Sequence, residues 1–132
     1  MSSSNLIRWS GLAALVGAVL LVVLDVTEFV LFSGQPESVA AATNAWVVVQ
    51  VSFMASTVLV ILGLTGLYAR QAEQAGTLGL IGFLVALTGE VMIAGDDWGA
   101  AFLAPWLAET APEVMDAEPS GVVIAWFGIT CC

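Results

Sequence analysis

Asp25 and Glu28 stand inside the run LLVVLDVTEFVLF, residues 20–32, where the only other polar residue is a threonine. Glu90 closes a later apolar block, and Gln50 lies near the start of another. Carboxylates held away from water without cationic partners must be protonated, hydrated or bound to a cation. Asp25, Glu28, Gln50 and Glu90 are therefore the candidate proton or cation cluster of this chain.

Other chemistry finds little support. The chain has no His and no Lys, so Ser52, Ser56 and Thr65 have no base to activate them. A His-based metal site or general base is excluded for the same reason. An intramembrane aspartyl pair needs two facing Asp residues at one depth, and Asp25 is the only Asp within an apolar span. The glycines of GTLGLIG, residues 76–82, follow no strand and open an apolar run, so helix packing explains them better than phosphate binding. A net charge of −9, with Arg8 and Arg70 the sole cations, leaves nothing to neutralise a run of phosphates. The expectation is a protein that is not an enzyme and has no cofactor, no metal site and no nucleic-acid partner.

The elements that must carry these residues follow from composition. Hydrophobic residues make up 60% of the 132 and charged residues 10%, outside the range of ordinary soluble domains. The apolar residues fall in blocks at 6–32, 45–68, 76–95 and 121–132. A helical crossing takes about 20 residues, so the first three blocks are long enough and the fourth, covering about 18 Å, is not. The expected fold is all-α: one membrane domain over residues 1–132, a polytopic transmembrane bundle of three full spans and an incomplete fourth. The chain reads as a fragment of a longer one. A secretory signal is the rival reading of the first block, but Asp25-Val26-Thr27-Glu28-Phe29 stands where small residues should mark cleavage. The adjacent Cys131 and Cys132 form no framework of spaced bridges.

Arg8 precedes the first span and Arg70 lies between the second and third, so the positive-inside rule predicts a multi-pass cell-membrane protein with its N-terminus cytoplasmic. Glu37, Asp96, Asp97, Glu109, Glu113, Asp116 and Glu118 then fall outside. Trp9 and Tyr68 sit at the predicted inner interface, Trp46 and Trp98 at the outer one. Residues 70–75 form the expected tight inner loop. The outer segment 96–120 carries Trp98, Phe102, Leu103, Trp106 and Leu107 at helical spacing. That short amphipathic helix lies on the membrane interface or caps the bundle. TAPE, residues 110–113, has the spacing of a capping box for a further short helix.

Small residues mark where helices approach in lipid. The first span has Gly11, Ala14 and Ala18 leading through Leu21 to Asp25 and Glu28; the second has Ser52, Ser56, Gly63 and Gly66; the third has Gly79, Gly82, Ala86 and Gly89, with Glu90 one turn after Ala86. The first stripe is expected to turn Asp25 and Glu28 toward protein. Gly17 precedes Asp25 by the same eight residues that separate Gly82 from Glu90, a weak parallel that a duplicated two-helix unit would produce.

The segment DDWGAAFLAPWLAETAPEVMD, residues 96–116, set between two spans, resembles small multi-span bacterial membrane proteins to which no activity is assigned. The resemblance implies an integral membrane fold and carries no site residue over. The expected function is a non-catalytic membrane component, a subunit or scaffold, whose partners are the lipid bilayer and other membrane helices or further copies of itself. The alternative is proton- or cation-linked transport or sensing through the carboxylate cluster.

Overall fold

The computed structural model describes residues 3–117, and the fourth apolar block with its cysteine pair lies outside them. Every regular element among the described residues is helical: α1 Ser3–Phe32, α2 Glu37–Ala41, α3 Asn44–Trp98, a π-helical turn Gly99–Leu103, α4 Ala104–Thr110 and α5 Pro112–Met115. Two stretches, Ile7–Phe32 and Asn44–Thr110, are long and apolar enough to cross a membrane.

α1 contains no proline and runs for 30 residues until Ser33, Gly34 and Pro36 end it. Gly34 takes φ 81°, the left-handed conformation that closes helices and that glycine adopts without a Cβ penalty. Gln35 folds its side chain back so that Nε2 donates to the Leu31 carbonyl at 3.0 Å, satisfying one of the last free acceptors. α3 starts at an N-cap, where Thr43 Oγ1 accepts from the Trp46 amide at 3.2 Å.

A straight helix of 55 residues would be about 80 Å long. α3 instead doubles back at Gly76, whose φ 57° and ψ −155° lie in a region open essentially to glycine alone. Tyr68 and Phe83 stack with ring centroids 4.3 Å apart, although 15 helical residues would separate them by about 22 Å. The arms 44–75 and 77–98 are therefore antiparallel neighbours. Residues 70–75 form no separate loop: RQAEQA is built of good helix formers, so the helix continues to 75 and one residue makes the reversal.

α1 lies antiparallel along the first arm in a single register. Ser10 meets Gly66, Ala14 meets Gly63, Gly17 meets Ser56 and Leu59, and Phe32 meets Trp46. At Gly17 an added Cβ would stand 2.9 Å from the Ser56 carbonyl oxygen and 3.0 Å from Leu59 Cβ; at Gly63 it would stand 2.7 Å from Ala14 Cα. Both glycines permit the backbones to come this close. The register also gathers Arg8 and Arg70 at one end of the hairpin, with α2 and α5 at the other.

The second arm does not stop at residue 96. It passes through the π-helical turn into α4 and reaches Thr110, because nothing between Gly95 and Ala104 breaks a helix and the one disturbance is Pro105. A proline lacks the amide that would bond four residues back and its ring crowds that carbonyl. The local bonding accordingly loosens to a five-residue step, with the Ala104 amide donating to the Gly99 carbonyl. The Ala100 carbonyl, left without a helical donor, accepts from Trp46 Nε1 at 2.8 Å.

At the end opposite the arginines, Ala40, Ala41, Trp46 and Ala104 form a small core, with Phe32, Ala100, Ala108 and Met115 packed around it. α4 ends at Ala111, which precedes Pro112 and takes φ −152° and ψ 60°. Thr110 does not cap α5 as its spacing predicted. Its hydroxyl donates to the Trp106 carbonyl at 2.8 Å, and Pro112 and Glu113 supply the first-turn signal.

Candidate functional site

Two interhelical hydrogen bonds lie between the Trp46 core and the middle of the hairpin. The register that sets Phe32 on Trp46 sets Glu28 on Gln50 one turn farther in. Gln50 is buried and its Nε2 donates to Glu28 Oε1 at 3.1 Å. The second bond joins the two arms of α3: Thr57, fully buried, donates through Oγ1 to Asp97 Oδ2 at 3.0 Å. Glu28 and Glu90 both lie close enough to Asp97 for their charges to reach it. α1 and the two arms thus each contribute a carboxylate or its hydrogen-bond donor to one polar layer.

The layer differs from the expected cluster in three members: it leaves out Asp25 and takes in Thr57 and Asp97. Asp25 is exposed, while Glu28 is half-buried. The contact line of α1 runs Ser10, Ala14, Gly17, Leu21, Leu24, Glu28, Phe32, in steps of three and four. Gly11, Ala18 and Asp25 recur every seven residues beside that line, and all three are exposed. Their apparent continuity with Ala14 and Glu28 came from merging two adjacent stripes. Asp25 remains within Coulombic reach of Glu28 but does not join the bond to Gln50.

Asp97 and Thr57 are the members that sequence reasoning missed. Asp97 was expected outside the bundle because an acidic pair, Asp96-Asp97, resembles the end of a span; the helix continues instead and carries it to Thr57. A signal was present in the spacing, since Thr57 follows Gln50 by seven residues and Asp97 follows Glu90 by seven, two turns along the same face.

The serines bond within their own helix. Ser56 Oγ donates to the Ser52 carbonyl at 2.9 Å, and Ser52 Oγ to the Val48 carbonyl at 2.7 Å. Ser56 is fully buried and Ser52 partly, which suits close packing. The third stripe meets a different environment. Among the described residues, nothing lies within 4 Å of a Cβ added at Gly82 or Gly89, Ala86 is exposed, and Gly79 faces Ala75 beside the reversal.

A separate acidic contact closes the end of the bundle opposite the arginines. Asp116 accepts from the Ser38 amide at 3.0 Å through Oδ1 and from the Ser38 hydroxyl at 2.6 Å through Oδ2, tying the end of α5 to the first turn of α2. These bonds hold the Asp116 carboxyl below its ordinary range. Glu37 is raised, first by partial shielding from water at the edge of α2, then by the charges of Asp116 and Asp96.

Among the described residues, no three acidic or Cys side chains converge closely enough to hold a metal ion. The arrangement can clamp helices, through carboxylates that accept from an amide and a hydroxyl, and it can take up protons. Comparison with protein-family models, with curated proteins and with solved structures finds no match.

Proposed function

We propose that the chain is a non-catalytic integral membrane component, a subunit or scaffold, that crosses the bilayer three times through α1 and the two arms of α3. The observation that carries this reading is the outward face of the hairpin. Leu15, Val22, Phe29 and Val30 on α1, and Leu78 and Val85 on the second arm, are each more than 60% exposed. In water such surface would be costly at about 25 cal/mol per Å², whereas in hydrocarbon it is the expected exterior. The resemblance of residues 96–116 to small multi-span bacterial membrane proteins is in keeping with this reading, and other membrane helices or a second copy are the expected partners.

The N-terminus is assigned to the cytoplasm because Arg8 and Arg70 share one end of the hairpin. Single cysteines at Glu73 and Glu113, in a Cys131→Ser, Cys132→Ser background, test the assignment. A membrane-impermeant maleimide should label position 113 in intact cells and position 73 only after permeabilisation. Labelling of both from outside would overturn the topology.

A second reading, proton- or cation-linked transport or sensing, is favoured by one observation: Glu28 and Glu90 lie within Coulombic reach of Asp97, and among the described residues no cation acts on it. Inward of this layer, however, α1 meets the first arm through Gly17 on Ser56 and Leu59, Ala14 on Gly63 and Ser10 on Gly66, a close seam of small residues in which both serine hydroxyls bond to their own helix and, among the described residues, no ionisable group stands. We therefore rank it second. Liposomes containing the purified chain and a trapped pH dye separate the two: the component reading expects no proton flux under a pH gradient, and flux abolished by Asp97→Asn would establish the transport reading.

A further inference from the structure

From residue 98 to 108 the helix is built inside out. Ala101 and Ala104 are buried, and Ala100 and Ala108 pack around the Trp46 core, while Trp98, Phe102 and Trp106 are 57%, 52% and 57% exposed. Aromatic side chains hide the most area when buried, so a helix bathed in water would turn these rings inward and leave the alanines outside. The aromatic stripe alternates along the helix with Ala100, Ala104 and Ala108, hence it straddles the level at which Phe32 ends α1 against Trp46. Val91, seven residues before Trp98 on the same arm, is exposed as well and continues the stripe along one side of the helix.

We propose that Trp98, Phe102 and Trp106 form an anchor that seats in the outer headgroup–acyl boundary of a zwitterionic phospholipid bilayer. The inference rests on the membrane reading above and adds what holds the hairpin at its depth. Indole rings favour that boundary because they offer a broad apolar face and one N–H to the wet side. The headgroup class follows from charge. Asp96 and Glu109 lie on the same segment, both exposed, and the two arginines lie at the far end of the bundle. An anionic surface would be repelled here, whereas an ammonium headgroup meets carboxylates and aromatic faces together. The same helix caps the bundle with its alanines and faces lipid with its rings, so the two placements left open by the sequence are both used.

Spin labels read by power saturation test this in the full chain reconstituted in phosphatidylcholine vesicles. Single cysteines replace Val85, Phe102 and Glu113, each exposed in the structure, with Cys131→Ser and Cys132→Ser as background. The label at 102 should lie at an intermediate depth, deeper than 113 and shallower than 85, and labels at 98 and 106 should differ in depth by up to about 12 Å. Water-like accessibility at 102 equal to that at 113, or shielding from both oxygen and the aqueous relaxant, overturns the anchor while a deep label at 85 leaves the membrane reading intact. An aqueous label at 85 would overturn the membrane reading itself. Moving to vesicles rich in phosphatidylglycerol should make position 102 shallower, and an unchanged depth would remove the headgroup assignment.

Discussion

The indole N–H of Trp46 donates to the carbonyl of Ala100 across the α3 hairpin, 54 residues away in sequence. The bond falls where the helix widens before Pro105 and the Ala104 amide, the ordinary donor to Ala100, turns to the Gly99 carbonyl instead. Tertiary contact here completes what a local residue left open.

Trp46→Phe keeps an aromatic ring in the core but leaves the Ala100 carbonyl without its donor, and should lower stability by about 1–3 kcal/mol. Pro105→Ala restores an amide and lets the turn relax to α-helix, so the Trp46→Phe cost should shrink in that background. A double-mutant cycle on detergent unfolding curves measures the coupling, and additive losses would detach Trp46 from the π-helical turn.

Glycines on the hairpin should divide sharply by position. Gly76→Ala forces an L-residue into a glycine-only conformation and should cost about 1–3 kcal/mol. Gly63→Ala pushes a methyl into Ala14 and should also destabilise. Gly82→Ala, with open space around it among the described residues, should be neutral or gain up to about 1 kcal/mol from helix propensity. Thermal melts of the three variants decide, and a large loss at Gly82 would show that another helix covers that face.

The two polar clamps should be modest in energy, since interhelical hydrogen bonds in membranes average about 0.6 kcal/mol and reach about 1.7. Gln50→Leu and Thr57→Val should each fall in that range. Double cycles with Glu28→Gln and Asp97→Asn, followed by unfolding in mixed micelles, should return coupling within each clamp and far less between a member of one and a member of the other.

Acid should act on the end formed by α2 and α5 in two opposing ways. Asp116 has a lowered pKa in the fold, so its bonds to Ser38 stabilise at neutral pH and are lost as pH falls through that depressed value. Glu37 has a raised pKa, so its contribution is best below the ordinary carboxylate range and is lost as pH rises through the raised value. Asp116→Asn should therefore destabilise at pH 7, and by progressively less as pH falls through the depressed value of Asp116. Glu37→Gln should stabilise at pH 7 and change little near pH 3. Hydrogen exchange of the α2 amides, followed against pH, reads both effects, and identical profiles for the two variants would contradict the assignment.

Several features were legible in the residues alone. Apolar stretches suited to a membrane, the helical class, a reversal expected over residues 70–75 and found at Gly76, and the presence of carboxylates among apolar neighbours all follow from composition and spacing, because length and polarity decide which solvent a helix tolerates. Glu28 and Gln50 could be placed at one depth by counting rises of 1.5 Å per residue. Rotation was harder. A shift of one residue turns a side chain by 100°, so Asp25 and Glu28 looked equivalent until Gly17 and Gly63 set which line of α1 touches the first arm. Only the tertiary structure could decide that Asp97 lies within the bundle, since whether a helix continues past an acidic pair depends on what waits to accept it. Thr57 supplies that partner from 40 residues away. The same holds for the rings of residues 98–106: periodicity put Trp98, Phe102 and Trp106 on one face, and the packing of the intervening alanines against Trp46 turned that face outward.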